Sequence, residues 1–292
     1  MTAKNLAQRK TLIFCFILLL IVACSPTNTL NLLNTATAYR AESNIPYGKH
    51  SRQLLDIYRP QKEHDGCLVV FAYGGSWDSG DKAMYGFVGA ALARLGHSVV
   101  IPDYRLYPEV KFPVFVEDFA LSIAHPKVQQ LTEDRPLILM GHSAGAMLAG
   151  LASFEPSYLD SVGLDKKQVA GYISISGPHD FFLPSQKPRW LALFGEQPEQ
   201  QIKALTVNHI HTNNPPTLLL HGEDDTLVVP KSATVLKQKL QEAGVPAQEH
   251  IYPGVSHKDI IVAASRGLHF LAPTLQDIDN FLQPICQKNA AQ

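Results

Sequence analysis

Short apolar runs rich in β-branched residues recur along this chain, each followed by a longer stretch whose apolar positions fall three or four residues apart. The runs cover residues 53–58, 67–72, 98–102, 137–140, 169–175, 217–220 and 247–252. A strand that is apolar on both sides has no solvent face, so these runs predict the strands of a mostly parallel sheet covered by helices on both faces. The stretches between them predict helices over 85–95, 113–124, 144–152, 231–243 and 275–282. Gly96 and Gly244 stand where two of these helices end, a position that favours left-handed backbone. Strand and helix alternate throughout, which makes the fold class α/β with an open, mostly parallel sheet. Residues 181–216 break the alternation with several prolines, Trp190 and a helical pattern over 198–205. An insertion between two late strands lies over the strand ends, where open α/β sheets bind ligands, so this segment is the expected lid.

Composition narrows the picture. With 292 residues, 46% of them hydrophobic, the chain can bury a full core in one domain behind a short leader. A formal net charge of −1 supplies no field for nucleic acid, and that class is set aside. The leader is distinct: Lys4, Arg9 and Lys10 precede an uncharged run over 11–23, too short to span a bilayer comfortably, so residues 1–23 read as a secretory signal peptide. It closes on Ile21-Val22-Ala23-Cys24, which resembles the lipobox of bacterial lipoproteins. That resemblance implies cleavage before Cys24 and a diacylglycerol on its thiol. The expectation is an exported protein held to a membrane through Cys24, facing the periplasm or the exterior. An uncleaved N-terminal anchor and plain secretion are the alternatives. The Asn-, Thr- and Ala-rich stretch that follows suits a tether over 24–44, with the folded domain at 45–292. Of the four cysteines, Cys15 and Cys24 belong to the leader. Cys67 and Cys286 sit in no CxxC or Cys/His cluster, so no zinc or redox site is expected. In an exported protein they could pair, and two separate thiols fit equally well.

The sharpest chemical signal is Gly141-His142-Ser143-Ala144-Gly145, placed directly after one apolar run and directly before a helical one. A serine on a tight strand-to-helix turn needs small neighbours, because backbone and helix approach closely there. Its hydroxyl is a poor nucleophile until a base takes its proton, and that base must be oriented by an acid. His257, in a loop just after the last strand, is the candidate base. His142 is too close to the turn to swing onto Ser143, and His221 ends a strand, so both read as structural. The acid should lie between nucleophile and base in chain order, and the turn His221-Gly222-Glu223-Asp224-Asp225 supplies it. Asp225 is the first choice, with Asp224, Glu223 and, further away, Asp180 as alternatives. Tyr73-Gly74-Gly75-Ser76-Trp77 follows the 67–72 strand, and paired glycines leave backbone N–H groups open to a developing oxyanion.

Together these segments resemble the α/β-hydrolases of the hormone-sensitive-lipase, carboxylesterase and kynurenine-formamidase-like group. The likeness runs from Leu-Asp-Ile-Tyr-Arg-Pro at 55–60, through Pro102-Asp103-Tyr104-Arg105-Leu106, to His257. It implies an α/β-hydrolase fold, no cofactor or metal, and oxyanion donors at the N–H groups of Gly75, Ser76 and Ala144. The chain departs from the group's His-Gly-Gly-x-Trp pattern by carrying Tyr73 in place of the histidine and Ser76 in place of a common glycine. Asp103 and Arg105 are expected to form an ion pair that braces this loop. The implied activity is a serine carboxylesterase working on small-molecule esters. An arylformamidase-like amide hydrolase is the alternative within the enzymes, and a non-catalytic binding module on the same fold is the alternative outside them. Nothing in the sequence bears on oligomeric state.

Overall fold

The computed structural model describes residues 26–34, 39–62, 66–180 and 188–289. The signal peptide and Cys24 lie outside the described residues. Helix α1 (Pro26–Asn34) is followed by strands β1 (Tyr39–Pro46), β2 (Leu54–Pro60) and β3 (Leu68–Ala72), helix α2 (Gly86–Arg94) and β4 (Ser98–Pro102). Next come α3 (Val114–Ile123), α4 (Pro126–Thr132), β5 (Leu137–His142), α5 (Ala144–Phe154), α6 (Pro156–Asp160) and β6 (Val169–Ile175). The inserted segment contributes α7 (Pro188–Phe194) and α8 (Pro198–Lys203) ahead of β7 (Thr217–Gly222). The chain ends with α9 (Lys231–Glu242), β8 (Ala247–Tyr252), α10 (Asp259–Val262) and α11 (Thr274–Asn289).

One sheet of eight strands runs β1-β2-β4-β3-β5-β6-β7-β8. The first two strands pair antiparallel, β2 pairs antiparallel with β4, and every pairing from β4 to β8 is parallel. The centre is as dry as the apolar runs require: every residue of β3, β4 and β5 is buried. Parallel register places the C-terminal ends of β3, β5, β6, β7 and β8 along one edge. Every candidate site loop leaves from that edge.

The boundary drawn near Ile45 moves toward the N-terminus. Residues 26–34 are helix and 39–46 are the edge strand, so the described parts of the stretch read as tether belong to the folded domain. Helix α1 docks through amides as well as through Leu30. Leu30 is buried, the Asn31 side chain donates to Ala83 O at 2.6 Å and accepts from Phe87 N–H at 2.8 Å, and buried Asn34 donates to Ser265 Oγ at 2.7 Å. Strand β1 is exposed or half-buried along its length, as an edge strand tolerates. Among the described residues no helix is long and apolar enough to cross a membrane.

Cys67 and Cys286 are joined in a disulfide across 219 residues of sequence, fastening α11 to the start of β3. A cross-link over so long a loop removes unfolded-state entropy. Reduction, or Cys286→Ala, is therefore expected to lower unfolding free energy by about 4 kcal/mol. Urea denaturation with and without reductant measures this; an unchanged midpoint would show that the bond contributes nothing.

Candidate active site

The turn after β5 carries the strain that the glycine spacing implied. Ser143 has φ 54° and ψ −124°, a left-handed backbone that costs a non-glycine residue about 1–3 kcal/mol. Two hydrogen bonds hold it: Ser143 N–H donates to Ile175 O at 2.9 Å, and Ser143 O accepts from Ala146 N–H at 2.9 Å. The flanking glycines are steric requirements. A Cβ on Gly141 would sit 2.2 Å from Gly145 O, and one on Gly145 would sit 2.1 Å from Ala72 O. Helix and sheet therefore meet closely enough to present the Ser143 side chain at the sheet edge.

The structure brings Ser143, His257 and Asp225 together. His257 Nε2 lies 2.9 Å from Ser143 Oγ, and its Nδ1 lies 2.7 Å from Asp225 Oδ2. The carboxylate can only accept, so the Nδ1 carries the proton and Nε2 is left as acceptor for the serine hydroxyl. Asp225 is buried and saturated with donors. Its Oδ1 accepts from the N–H groups of Leu227 at 3.0 Å and Val228 at 2.9 Å, and its Oδ2 also receives His221 Nε2 at 3.2 Å. Burial alone would raise its pKa, but the hydrogen bonds from His221, His257 and Val228 hold it well below the usual carboxylate range. Glu223 and Asp224 are exposed on the same turn, and among the described residues Asp225 is the carboxylate that bonds His257.

Two histidines that read as structural turn out to hold this group. His221 Nε2 also lies 2.8 Å from Val228 O, so it is the protonated nitrogen and a second donor to the acid. Only its place four residues before Asp225 could have flagged it. His142 Nε2 donates to the backbone carbonyl of His257 at 3.1 Å, its ring lies 4.9 Å from the His257 ring, and its Nδ1 meets Tyr85 Oη at 3.3 Å. Burial, aided by the neighbouring His257, pushes His142 down to about 3, which keeps it neutral.

The loop after β3 bends through left-handed backbone at Gly75, Ser76 and Trp77. Gly75 is required there, since a Cβ would lie 2.0 Å from Ser79 O. Ser79 N–H returns to Gly75 O at 3.0 Å, Trp77 O accepts from Tyr107 N–H at 2.9 Å, and Arg189 of α7 donates to Asp78 at 2.7 Å and to Ser76 O at 3.2 Å. The N–H groups of Gly75 and Ser76 make no hydrogen bond among the described residues, and that of Ala144 opens α5, where no helical acceptor exists. Tyr73 fills the place of the group's histidine: its ring stacks on Tyr104 at 4.7 Å and its hydroxyl meets Arg52 at 2.8 Å. The expected Asp103–Arg105 pair does not form. Arg105 instead grips Asp118 of α3 at 2.7 Å, with its own N–H on the same carboxylate at 2.9 Å, while Asp103 accepts from Lys82 N–H at 2.7 Å. The bidentate geometry that a guanidinium favours is available at Asp118.

A cavity of about 300 Å³ opens beside Ser143, lined among others by Ser76, Trp77, Ala144, Trp190, Leu227 and Val229. Trp190 and Phe194 of α7 pack on Trp77 with ring centroids 5.7 and 5.0 Å away, so the insertion does form a wall over the strand ends. A larger cavity, about 530 Å³, lies between Arg94 and Asp279 and holds none of these groups. Convergent chemistry, not volume, marks the site.

Fold and site together define an α/β-hydrolase of the carboxylesterase and hormone-sensitive-lipase-like group. More narrowly, the chain belongs to the BD-FAE family, whose model matches residues 55–240. It is 30% identical over 243 residues to a probable isoprenylcysteine alpha-carbonyl methylesterase of Arabidopsis thaliana, covering 75% of this chain and 57% of that protein. It is 27% identical to esterase LipC of Mycobacterium tuberculosis, covering 86% of this chain and 67% of that one. This chain spans only 51–58% of the length of the plant methylesterases it matches. Among solved structures, a truncated carbohydrate esterase from gut microbiota superposes with a TM-score of 0.72 at 18% identity, covering 86% of this chain and 98% of that one, which is a likeness of fold.

His179 is a further buried histidine, its Nε2 2.8 Å from Ser174 Oγ, and burial pushes it down to about 3 as well. Unfolding lets His142 and His179 take up protons below their ordinary value of 6.5. Stability from both is present above pH 6.5 and is lost on acidification toward pH 3. Between pH 7 and pH 5 the loss for the pair is about 4 kcal/mol. Denaturant titrations at the two pH values check it; equal stability would mean that neither histidine is held neutral.

Proposed function

We propose that this protein is a serine carboxylesterase that cleaves small carboxylic esters through an acyl-enzyme. His257 Nε2 takes the Ser143 proton as Oγ attacks the ester carbonyl, and the N–H groups of Gly75, Ser76 and Ala144 hold the resulting oxyanion. The protonated imidazole then donates to the departing alkoxide, so the alcohol leaves and Ser143 carries the acyl group. Water, deprotonated by His257, attacks that ester; the carboxylic acid leaves and Ser143 regains its proton. Asp225 remains ionised throughout, steadying the imidazolium that forms twice per cycle.

One observation carries the reading: a left-handed serine whose hydroxyl is 2.9 Å from a histidine that is itself 2.7 Å from a saturated carboxylate. The esterase names borne by its relatives support the same reaction class. Ser143→Ala is expected to lower turnover of p-nitrophenyl acetate by at least about a thousandfold with circular dichroism unchanged. Retained turnover would overturn the mechanism. Faster hydrolysis of N-formylkynurenine than of any ester tried would move the assignment to the formamidase-like alternative.

We also propose that the chain is exported and tethered through a lipid on Cys24, on the strength of the basic leader, its apolar run and the Ile-Val-Ala-Cys sequence. Cys24→Ser is then expected to shift the protein from the membrane pellet to the soluble fraction. A wild-type protein already soluble would contradict the tether.

A further inference from the structure

The cavity beside Ser143 is mostly apolar, faced by Trp77, Pro178, Trp190, Leu227 and Val229. At about 300 Å³ it sits at the lower end of the roughly 300–1,000 Å³ range of small-molecule sites, so it suits a small group. Three of its polar members are already committed. Ser143 faces His257, Ser76 belongs to the oxyanion loop, and the buried Ser232 Oγ accepts from His179 N–H at 2.7 Å. The remaining polar member is Asp180.

Asp180 is half-buried, and its carboxylate makes no hydrogen bond or ion pair among the described residues. The buried carboxylates among the described residues are all engaged: Asp56 holds Lys82 at 2.8 Å, Asp118 holds Arg105 at 2.7 Å, Asp103 takes Lys82 N–H at 2.7 Å, and Asp225 holds His257. The backbone beneath Asp180 is fixed as well. Its neighbour His179 is fully buried, tied by its ring to Ser174, by its N–H to Ser232 and by its carbonyl to Val207 N–H at 3.4 Å. A carboxylate on a fixed backbone beside an apolar wall, with its lone pairs unspent, is what can orient a ligand bearing a complementary group.

We infer that Asp180 is a specificity residue of this site, reading a positively polarised group, a hydroxyl or an ammonium, on the part of the ester seated against Trp77 and Trp190. The favoured substrates are small esters with such a group a few atoms from the carbonyl, and esters bearing a carboxylate there are rejected by like charge. This inference rests on the esterase reading of the same pocket.

The test compares kcat/KM within matched pairs. Glycerol monoacetate and acetylcholine are each set against propyl acetate, separating a hydroxyl from a cation on the alcohol half; methyl 3-hydroxybutanoate against methyl butanoate probes the acyl half. The wild type is expected to prefer the polar ester in at least one pair, and Asp180→Ala to cut that preference about tenfold, the size of one hydrogen bond to a charged group. Asp180→Asn keeps the side-chain shape, so a fall in the ratio with this variant too, folded by circular dichroism, separates recognition from packing. A role in packing alone would lower both members of a pair equally and leave the ratio where it was. Absence of any preference, or a preference unchanged in both variants, overturns the inference. Failure of the wild type to cleave any of these esters would instead defeat the esterase reading on which it stands.

Discussion

The left-handed backbone at Ser143 is the constraint around which the other features are arranged. Its cost of about 1–3 kcal/mol has to be met by contacts that only this packing supplies. Gly141 and Gly145 let α5 approach β5 and β3, and the Ser143 N–H is taken by the carbonyl at the end of β6. A relaxed turn would put the hydroxyl inside the helix start, where no base reaches it. In the strained form, Oγ reaches His257 at 2.9 Å, and Ala144, whose N–H has no helical acceptor, lines the same cavity.

From that point the parallel sheet does the placing. The loops after β7 and β8 bring Asp225 and His257, and they are fastened to each other: Glu223 N–H donates to Tyr252 O at 2.9 Å and Asp224 N–H donates to Val255 O at 3.1 Å. His142 and His221 extend the fastening to the side chains, one holding the His257 carbonyl and the other the Asp225 carboxylate. The result is a buried anion with four donors and a histidine whose tautomer is dictated by its neighbour. Such a network is strong when fully satisfied and costly when any member is lost, because the surroundings are apolar.

Much of this was legible in the residues, for identifiable reasons. The seven runs became β2 through β8, and the signal is least broken in β3 to β7, which lie within the parallel part of the sheet and are buried on both faces. Ser143 could be read because its turn imposes glycines at fixed spacing. His257 and Asp225 followed from chain order, with Asp225 placed ahead of Asp224, and burial separates these two adjacent carboxylates: Asp225 is buried and Asp224 exposed. What escaped was polar or long-range. Helix α1 docks largely through Asn31 and Asn34, β1 is an exposed edge, and neither leaves a strong hydrophobic period. The Asp103–Arg105 pair was expected from the resemblance of the 102–106 segment, while Arg105's partner lies on α3 at Asp118, a pairing that no local pattern encodes. The disulfide likewise joins residues 219 positions apart, with no motif to announce it.

The central claim is that one serine out of the whole chain is made nucleophilic by its surroundings. Treating folded protein with a fluorophosphonate ester and measuring intact mass, followed by peptide mapping, tests it most directly. The account predicts a single adduct, on the peptide that contains Ser143, and its disappearance when the protein is unfolded before labelling. An adduct at another serine, or none in folded protein, would contradict it.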